Sequence, residues 1–279
     1  MIVWLASYPK SGNTWVRLFL KSYLKKDNEI FDINDFNLSS HIERFPNIKY
    51  LKDAQIDYLN FDEIIKNSVL LQQKINLRNK PTIFKTHSAL YNIKGYKFTD
   101  LENSTGVIYI VRDPRDIVIS YSHHMNLSID ETIDLMTNST SGELHTYNNK
   151  RFRITIMGSW SDNFNSWKNF KKINPLIIKY EDLKLNPLIQ FEKIVHYLEK
   201  LKVTTKNLKK INASIEDTDF EKLKKAENKD GFVEKPKENK INFFRKGTTN
   251  QWVDVLKKDQ INKIENKFFN EMEELGYLK

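Results

Sequence analysis

Continuous apolar runs punctuate the chain and predict strands buried on both faces. Residues Ile2–Ser7 (IVWLAS), Pro81–Lys85, Gly106–Val111 and Leu176–Tyr180 carry such runs without alternation, the pattern of a parallel sheet covered on both sides. Between them the period changes to that of a helix. Over Thr14–Lys25, Trp15, Phe19 and Tyr23 share one face and Val16, Leu20 and Leu24 the next. Further helices are predicted after Asp113-Pro114, with Asp116 in the first turn, and after Asn186-Pro187, with the stripe Phe191, Ile194, Val195 and Leu198. Others follow over residues 158–170, with Trp160, Phe164 and Trp167 on one face, from a capping box at Thr218–Glu221, and over Asp259–Leu275 with Gly276 as its cap. Strands alternating with helices define an α/β chain with a central parallel sheet flanked by helices. Two stretches fit less well: residues 27–80 read as a helical insertion, and residues 228–250, charged and rich in turn formers, as a long covering loop. No repeat or linker divides the chain, so residues 1–279 are expected to form a single domain.

Composition narrows the chemistry. There is no cysteine, which excludes disulfides, thiolate metal sites and thiol catalysis. The 45 basic residues exceed the 36 acidic ones and leave a net charge of +9, suited to an anionic ligand without saying which. No apolar stretch has the length of a membrane span, and the first apolar run has no basic segment before it and leads directly into a loop. We therefore expect a cytoplasmic chain rather than a secreted one.

That loop is YPKSGNTW, residues 8–15. A Walker A loop carries its lysine after the last glycine; here Lys10 and Ser11 precede Gly12, and Asn13 and Thr14 follow. The anion-binding physics is the same. Backbone N–H groups between a strand end and a helix start, with the helix dipole behind them, favour a phosphate or sulfate. An ordinary βα turn with a capping Thr14 is the plainer alternative. Lys85 and His87 (FKTH) stand at the end of the second strand, where ligands of open parallel sheets bind. Arg112 ends the strand GVIYIV, with Ser120 eight residues on; both suit a second phosphate, although Arg112 could instead pair with Asp113 or Asp116. Arg245, Lys246 and Gly247 (FFRKGTTNQW) repeat the anion theme. The neighbours His123 and His124 point about 100° apart on a helix, which suits pocket lining or surface better than a shared metal.

In this order, YPKSGNTW, FKTH, VRDPRDIVISYSHH, YEDLKLNP, TDFEKLK and FFRKGTTNQW resemble the cytosolic-type sulfotransferases, over about residues 2–252. The resemblance implies a P-loop-like three-layer α/β/α fold and 3′-phosphoadenosine 5′-phosphosulfate (PAPS) as co-substrate, with no metal. It assigns Lys10, Ser11, Gly12, Asn13, Thr14 and Trp15 to the 5′-phosphosulfate loop, Trp15 stacking on adenine. Lys85 and His87 become the catalytic lysine and histidine. Arg112 and Ser120 become 3′-phosphate ligands, with Ser120 also restraining Lys10. Tyr180, Thr218 and Phe220 surround the adenine, and Arg245, Lys246 and Gly247 form the second 3′-phosphate segment. The chain departs from the family at Asn13, where Thr is common, and at Asn250-Gln251, where Gly-Asp is usual. It also lacks the usual dimer signature, which leaves monomer or homodimer open.

The implied reaction moves a sulfuryl group to a small-molecule hydroxyl or amine, with His87 as base and Lys10 and Lys85 stabilising charge. Tyr91, Tyr121, Phe152 and Trp160 are candidates for lining an acceptor pocket, or equally for the core. No nucleic acid is expected as partner. The alternatives are a P-loop-like small-molecule kinase and a nucleotide-binding module without catalysis.

Overall fold

The computed structural model describes residues 1–26, 28–34, 42–147, 150–153, 155–235 and 241–278. The elements run β1 (Ile2–Ser7), α1 (Asn13–Leu24), β2 (Ile42–Arg44), α2 (Ile48–Asp53), α3 (Phe61–Lys66), α4 (Ser68–Asn76), β3 (Thr82–Thr86), β4 (Asn92–Ile93), β5 (Tyr96–Lys97), β6 (Ser104–Val111), α5 (Pro114–Met125) and α6 (Ile129–Thr137). The second half contains β7 (Leu144–Tyr147), β8 (Lys150–Arg153), α7 (Trp160–Lys168), β9 (Leu176–Lys179), α8 (Tyr180–Leu185), α9 (Pro187–Lys200), α10 (Leu208–Asp217), α11 (Phe220–Asp230), α12 (Trp252–Val255), α13 (Lys258–Lys267) and α14 (Phe269–Glu274). They fall into two compact units. One comprises Met1–Tyr8, Glu43–Val111 and Leu135–Ile177, the other Pro9–Ile42, Arg112–Asp134 and Ile178–Lys279.

The main sheet has the order β2-β3-β1-β6-β9. Central β1 pairs in parallel with β3 (Leu5 opposite Lys85, Ala6 opposite Thr86) and with β6 (Ala6 opposite Tyr109, Ser7 opposite Ile110). Every residue of β1 is buried, which explains why its sequence shows no alternation. Trp4 centres the core of the first unit, with the rings of Phe45, Phe84, Phe98 and Trp167 within 6.1 Å of its own. Its indole N–H donates to Ser104 Oγ at 2.8 Å, satisfying the polar atom that burial would otherwise strand. Helix α7 starts at a capping box: Ser159 and Asp162 exchange side-chain and backbone bonds.

In the second unit Phe19 of α1 stacks on Phe191 of α9 at 3.8 Å, and Leu18, Ile33, Leu223, Phe232 and Phe244 form a further buried cluster. Arg115 ties the C-terminal segment to the start of α5. It binds Asp113, Glu265 and the Tyr277 carbonyl and lies over the Trp252 ring at 3.8 Å.

Several predicted boundaries change. Residues 42–44 of the expected helical insertion form an edge strand, with three short helices after it. Tyr180 opens α8 rather than ending a strand. Asn186 begins α9 without a side-chain cap bond; Pro187 at the first helical position already removes one orphan N–H. The capping box at Thr218 is off by one residue. Asp219 accepts from the Glu221 and Lys222 N–H groups, while the Thr218 hydroxyl bonds back to the Ser214 carbonyl at 2.7 Å. The predicted last helix is two helices, broken at fully buried Phe268. Ile264, Phe268 and Met272 are all buried across the break. Of the covering loop, residues 236–240 lie outside the described residues.

Candidate active site

Within the second unit the loop after β1 bends through two left-handed residues, Lys10 (φ 65°) and Gly12 (φ 100°). Gly12 is the N-cap of α1 and makes no side-chain cap bond, so the first-turn N–H groups are not consumed by a capping oxygen. Its backbone is pressed against an aromatic face: a Cβ there would lie 2.5 Å from Cδ2 of Tyr180. Tyr180 in turn lies beneath the Arg112 guanidinium, 4.4 Å from the ring centroid. Arg112 donates to the Lys10 carbonyl at 3.2 Å and the Thr248 carbonyl at 3.0 Å, with Asp116 3.7 Å away. The expected alternative pairing with Asp116 is therefore present, but it uses only part of the fork. Arg112 Nε and Ser11 Oγ are buried with no hydrogen-bond partner. Two unpaired donors beside a lysine suit an anion, because leaving them dry costs about 1–3 kcal/mol each.

The ammonium of Lys10 lies over the Phe243 ring. Burial lowers its pKa to about 8, with Arg112 and Arg245 pushing the same way and Glu234 opposing them. Arg245 donates to Gln251 Oε1 at 2.9 Å, and burial together with Arg112 lowers its pKa as well. These cations crowd one another, and a bound anion would relieve that. Gly247 (φ 62°) would place a Cβ 2.4 Å from the Phe220 ring, a second close approach of backbone to aromatic. Lys246 is exposed. Trp15 packs edge-on against Tyr180 and Phe191 and donates to the Thr218 carbonyl at 3.1 Å. Lys184 lies over both Trp15 (5.5 Å) and Phe220 (5.6 Å). Asn13 is buried, and Ser120 is half-buried on α5. Thr14 is not a cap: its hydroxyl donates to Glu234 at 2.9 Å, and the same carboxylate pairs with Arg17. The structure thus gathers Lys10, Arg112, Tyr180 and Gly12 around one locus, and Trp15, Thr218, Phe220 and Gly247 around a second.

The expected base belongs to the first unit. His87 follows β3, and its Nδ1 lies 2.8 Å from the Ser7 carbonyl oxygen and 3.2 Å from Ser7 Oγ. A carbonyl can only accept, so Nδ1 carries the proton and Nε2 holds the lone pair in the neutral ring. Burial, reinforced by the Lys85 charge, lowers the His87 pKa to about 3, with Glu143 opposing. Lys85 itself is buried in β3, and its carbonyl accepts from the Phe45 N–H.

Five further residues support these groups: Asp116, Glu234, Asn163, Tyr109 and Asn250. Asp116 accepts from the Asn250 and Trp252 N–H groups at 2.8 and 3.1 Å and so anchors the Arg245–Gly247 segment. Glu234 left no signal in the sequence. Asn163, with Tyr109 bonded to it, did leave one: it is a polar residue on the apolar stripe of Trp160, Phe164 and Trp167. Asn250 takes φ 59°, a conformation Asn tolerates, so it serves where Gly is usual. His124 stacks near Tyr121 and meets the Phe243 ring edge-on, and His123 is exposed. Among the described residues no three His, Asp or Glu side chains group to hold a metal, and no helix is long and apolar enough to cross a membrane. Tyr91 pairs with Phe98, while Tyr121 and Trp160 are buried. The Phe152 side chain lies outside the described residues.

The chain is 25% identical over 279 residues to Sulfotransferase 1 family member D1 of Mus musculus, covering 97% of this chain and 83% of that one. It is 25% identical over 274 residues to the luciferin sulfotransferase of Photinus pyralis, covering 94% and 69%. A crystal structure of a mouse sulfotransferase complexed with PAP superposes with a TM-score of 0.60 at 20% identity, over 97% of this chain and 84% of that one, which shows the shared P-loop-like α/β fold. The Sulfotransferase domain model matches residues 2–276, and on that span the chain belongs to the sulfotransferase family.

Proposed function

We propose that the protein transfers a sulfuryl group from PAPS to a hydroxyl, or an amine, of a small-molecule acceptor, releasing adenosine 3′,5′-bisphosphate. Residues 1–279 would act as one catalytic domain in the cytoplasm. The observation that carries this reading is the pair of buried donors without partners, Ser11 Oγ and Arg112 Nε, set among the cations Lys10, Arg112 and Arg245. In this reading Lys10 to Thr14 hold the 5′ end of the donor. Arg112, Ser120 and the Arg245–Gly247 segment hold the 3′-phosphate, and Trp15, Tyr180, Thr218 and Phe220 flank the adenine.

The acceptor oxygen attacks sulfur while the bond from sulfur to the 5′-phosphate oxygen breaks, and the acceptor proton passes to His87 Nε2. Lys10 and Lys85 stabilise charge on the departing phosphate and the transferring group. No acid is needed at the leaving oxygen, which departs as an anion. General-base help of this kind is worth about 10²–10⁴ in rate, and charge stabilisation by preorganised donors adds to it.

The test is a screen of alcohols, phenols and amines with sulfur-labelled PAPS. Label is expected in product with wild type, and turnover is expected to fall by at least about 10² with His87→Ala while binding of adenosine 3′,5′-bisphosphate persists. Preference for ATP as donor would favour the kinase alternative. Binding without any turnover would favour the non-catalytic module.

A further inference from the structure

His87 is held at two points besides its covalent neighbours. Its ring donates to the Ser7 carbonyl, and its own carbonyl accepts from Asn163 Nδ2 at 2.9 Å. The same amide nitrogen donates to the Met157 carbonyl at 2.9 Å. Two carbonyls on one side fix the orientation of the amide, because only NH₂ can serve them. Asn163 Oδ1 therefore faces the other way, and it accepts from the Tyr109 hydroxyl at 2.9 Å. Tyr109 is fully buried in β6, and its oxygen receives the backbone N–H of Tyr8. The bonds close a circuit: the Ser7–Tyr8 backbone, the Tyr109 hydroxyl, the Asn163 amide, the His87 backbone, and the His87 ring back to Ser7. Asn163 is itself fully buried, and Trp167 of the same helix donates to the adjoining Ser88 carbonyl at 2.8 Å.

We infer that Tyr109 and Asn163 are positioning residues that fix His87 against the strand end from which the YPKSGNT loop departs, so that the base keeps one ring orientation and one tautomer. This rests on the sulfotransferase reading for its kinetic consequence, though not for its structural one. Asn163 Nδ2 serves the His87 and Met157 carbonyls, and the Tyr109 hydroxyl joins Asn163 Oδ1 to the Tyr8 N–H at the loop entry. Removing either the hydroxyl or the amide opens the circuit, and removing the amide also frees the His87 carbonyl. A small displacement of a base costs rate out of proportion to its effect on binding.

The test uses Tyr109→Phe, which retains the ring in the core, and Asn163→Ala, with circular dichroism and binding of adenosine 3′,5′-bisphosphate as folding controls. Both variants are expected to bind the nucleotide within about threefold of wild type and to lose about ten- to a hundredfold in kcat, with the KM for donor little changed. The double variant is expected to be no worse than the poorer single one, because both act through one circuit. Nitrogen NMR of the His87 ring, assigned with His87→Gln, is expected to show the proton on Nδ1 in wild type and a mixture of tautomers in Tyr109→Phe. Wild-type kcat in Tyr109→Phe, or an unchanged ring signature, overturns the inference. A wild-type protein that turns over no acceptor counts against the sulfotransferase reading instead, and the ring signature then decides this one by itself.

Discussion

The ammonium of Lys10 lies 4.1 Å from the centroid of the Phe243 ring, within a cluster that also contains Arg112 and Arg245. Its pKa of about 8 means that at pH 8 the free protein holds the lysine close to half protonated. An arriving phosphate raises that value, so nucleotide binding at this pH should take up a proton. Calorimetry of adenosine 3′,5′-bisphosphate in buffers of differing ionisation enthalpy measures the uptake directly. We expect about half a proton at pH 8, much less at pH 6.5, and its loss in Lys10→Met. Uptake that is the same in the variant would place Lys10 away from the phosphate.

If His87 is the base, as proposed, its neutral state sets the pH dependence of the rate. The free protein keeps the ring unprotonated down to about 3, so kcat/KM for donor should show no acid limb near the ordinary histidine value. On the proposed mechanism a bound anionic donor would raise the ring's pKa, so kcat should lose its acid side at a higher pH than kcat/KM does. A shared limb near 6.5 in both profiles would contradict the buried, lysine-flanked environment.

Stability gives the same residue a second readout. Below its ordinary value of 6.5 the unfolded chain takes a proton at His87 that the folded chain refuses until about 3. Protonation thus favours unfolding as pH falls through that window. His87→Gln should flatten the fall of Tm between pH 6 and 4, and an identical slope in the variant would show that the ring titrates normally.

Gly12→Ala tests the close packing of the loop. The new Cβ would meet the Tyr180 ring at 2.5 Å in a backbone conformation with φ 100°, a strain of about 1–3 kcal/mol. Denaturant titration should report a loss of that order, accompanied by weakened nucleotide binding. Gly276→Ala, with nothing within 4 Å of its Cβ, is the control for backbone strain alone.

Much of this could be read from the residues alone. The bounds of β1 follow from the sequence because full burial leaves an unbroken apolar run, and the turn into α1 follows because Gly12 stands between that run and a helix. Glu234 was not legible. Its partners Thr14 and Arg17 lie more than two hundred positions away, and a carboxylate in a charged loop looks the same whether it faces water or an arginine. Asp116 reads in the sequence as a helix-start charge or a partner of Arg112, and it is both, but its bonds to the Asn250 and Trp252 N–H groups, contacts of high sequence separation, leave no sign there. The break at Phe268 was missed for a different reason. Side-chain periodicity reports which residues face inward and is silent about whether the backbone between them stays straight.

The nearer partner of His87 Nδ1 is the main-chain oxygen of Ser7, at 2.8 Å, with the Ser7 hydroxyl at 3.2 Å. Every amino acid presents that main-chain oxygen, so drift at position 7 leaves the tautomer of the base untouched as long as the strand keeps its register. The protonation of this histidine is thereby insulated from substitution at position 7 itself, in a way that a side-chain partner could not provide. It is exposed instead to whatever slides β1 against β3.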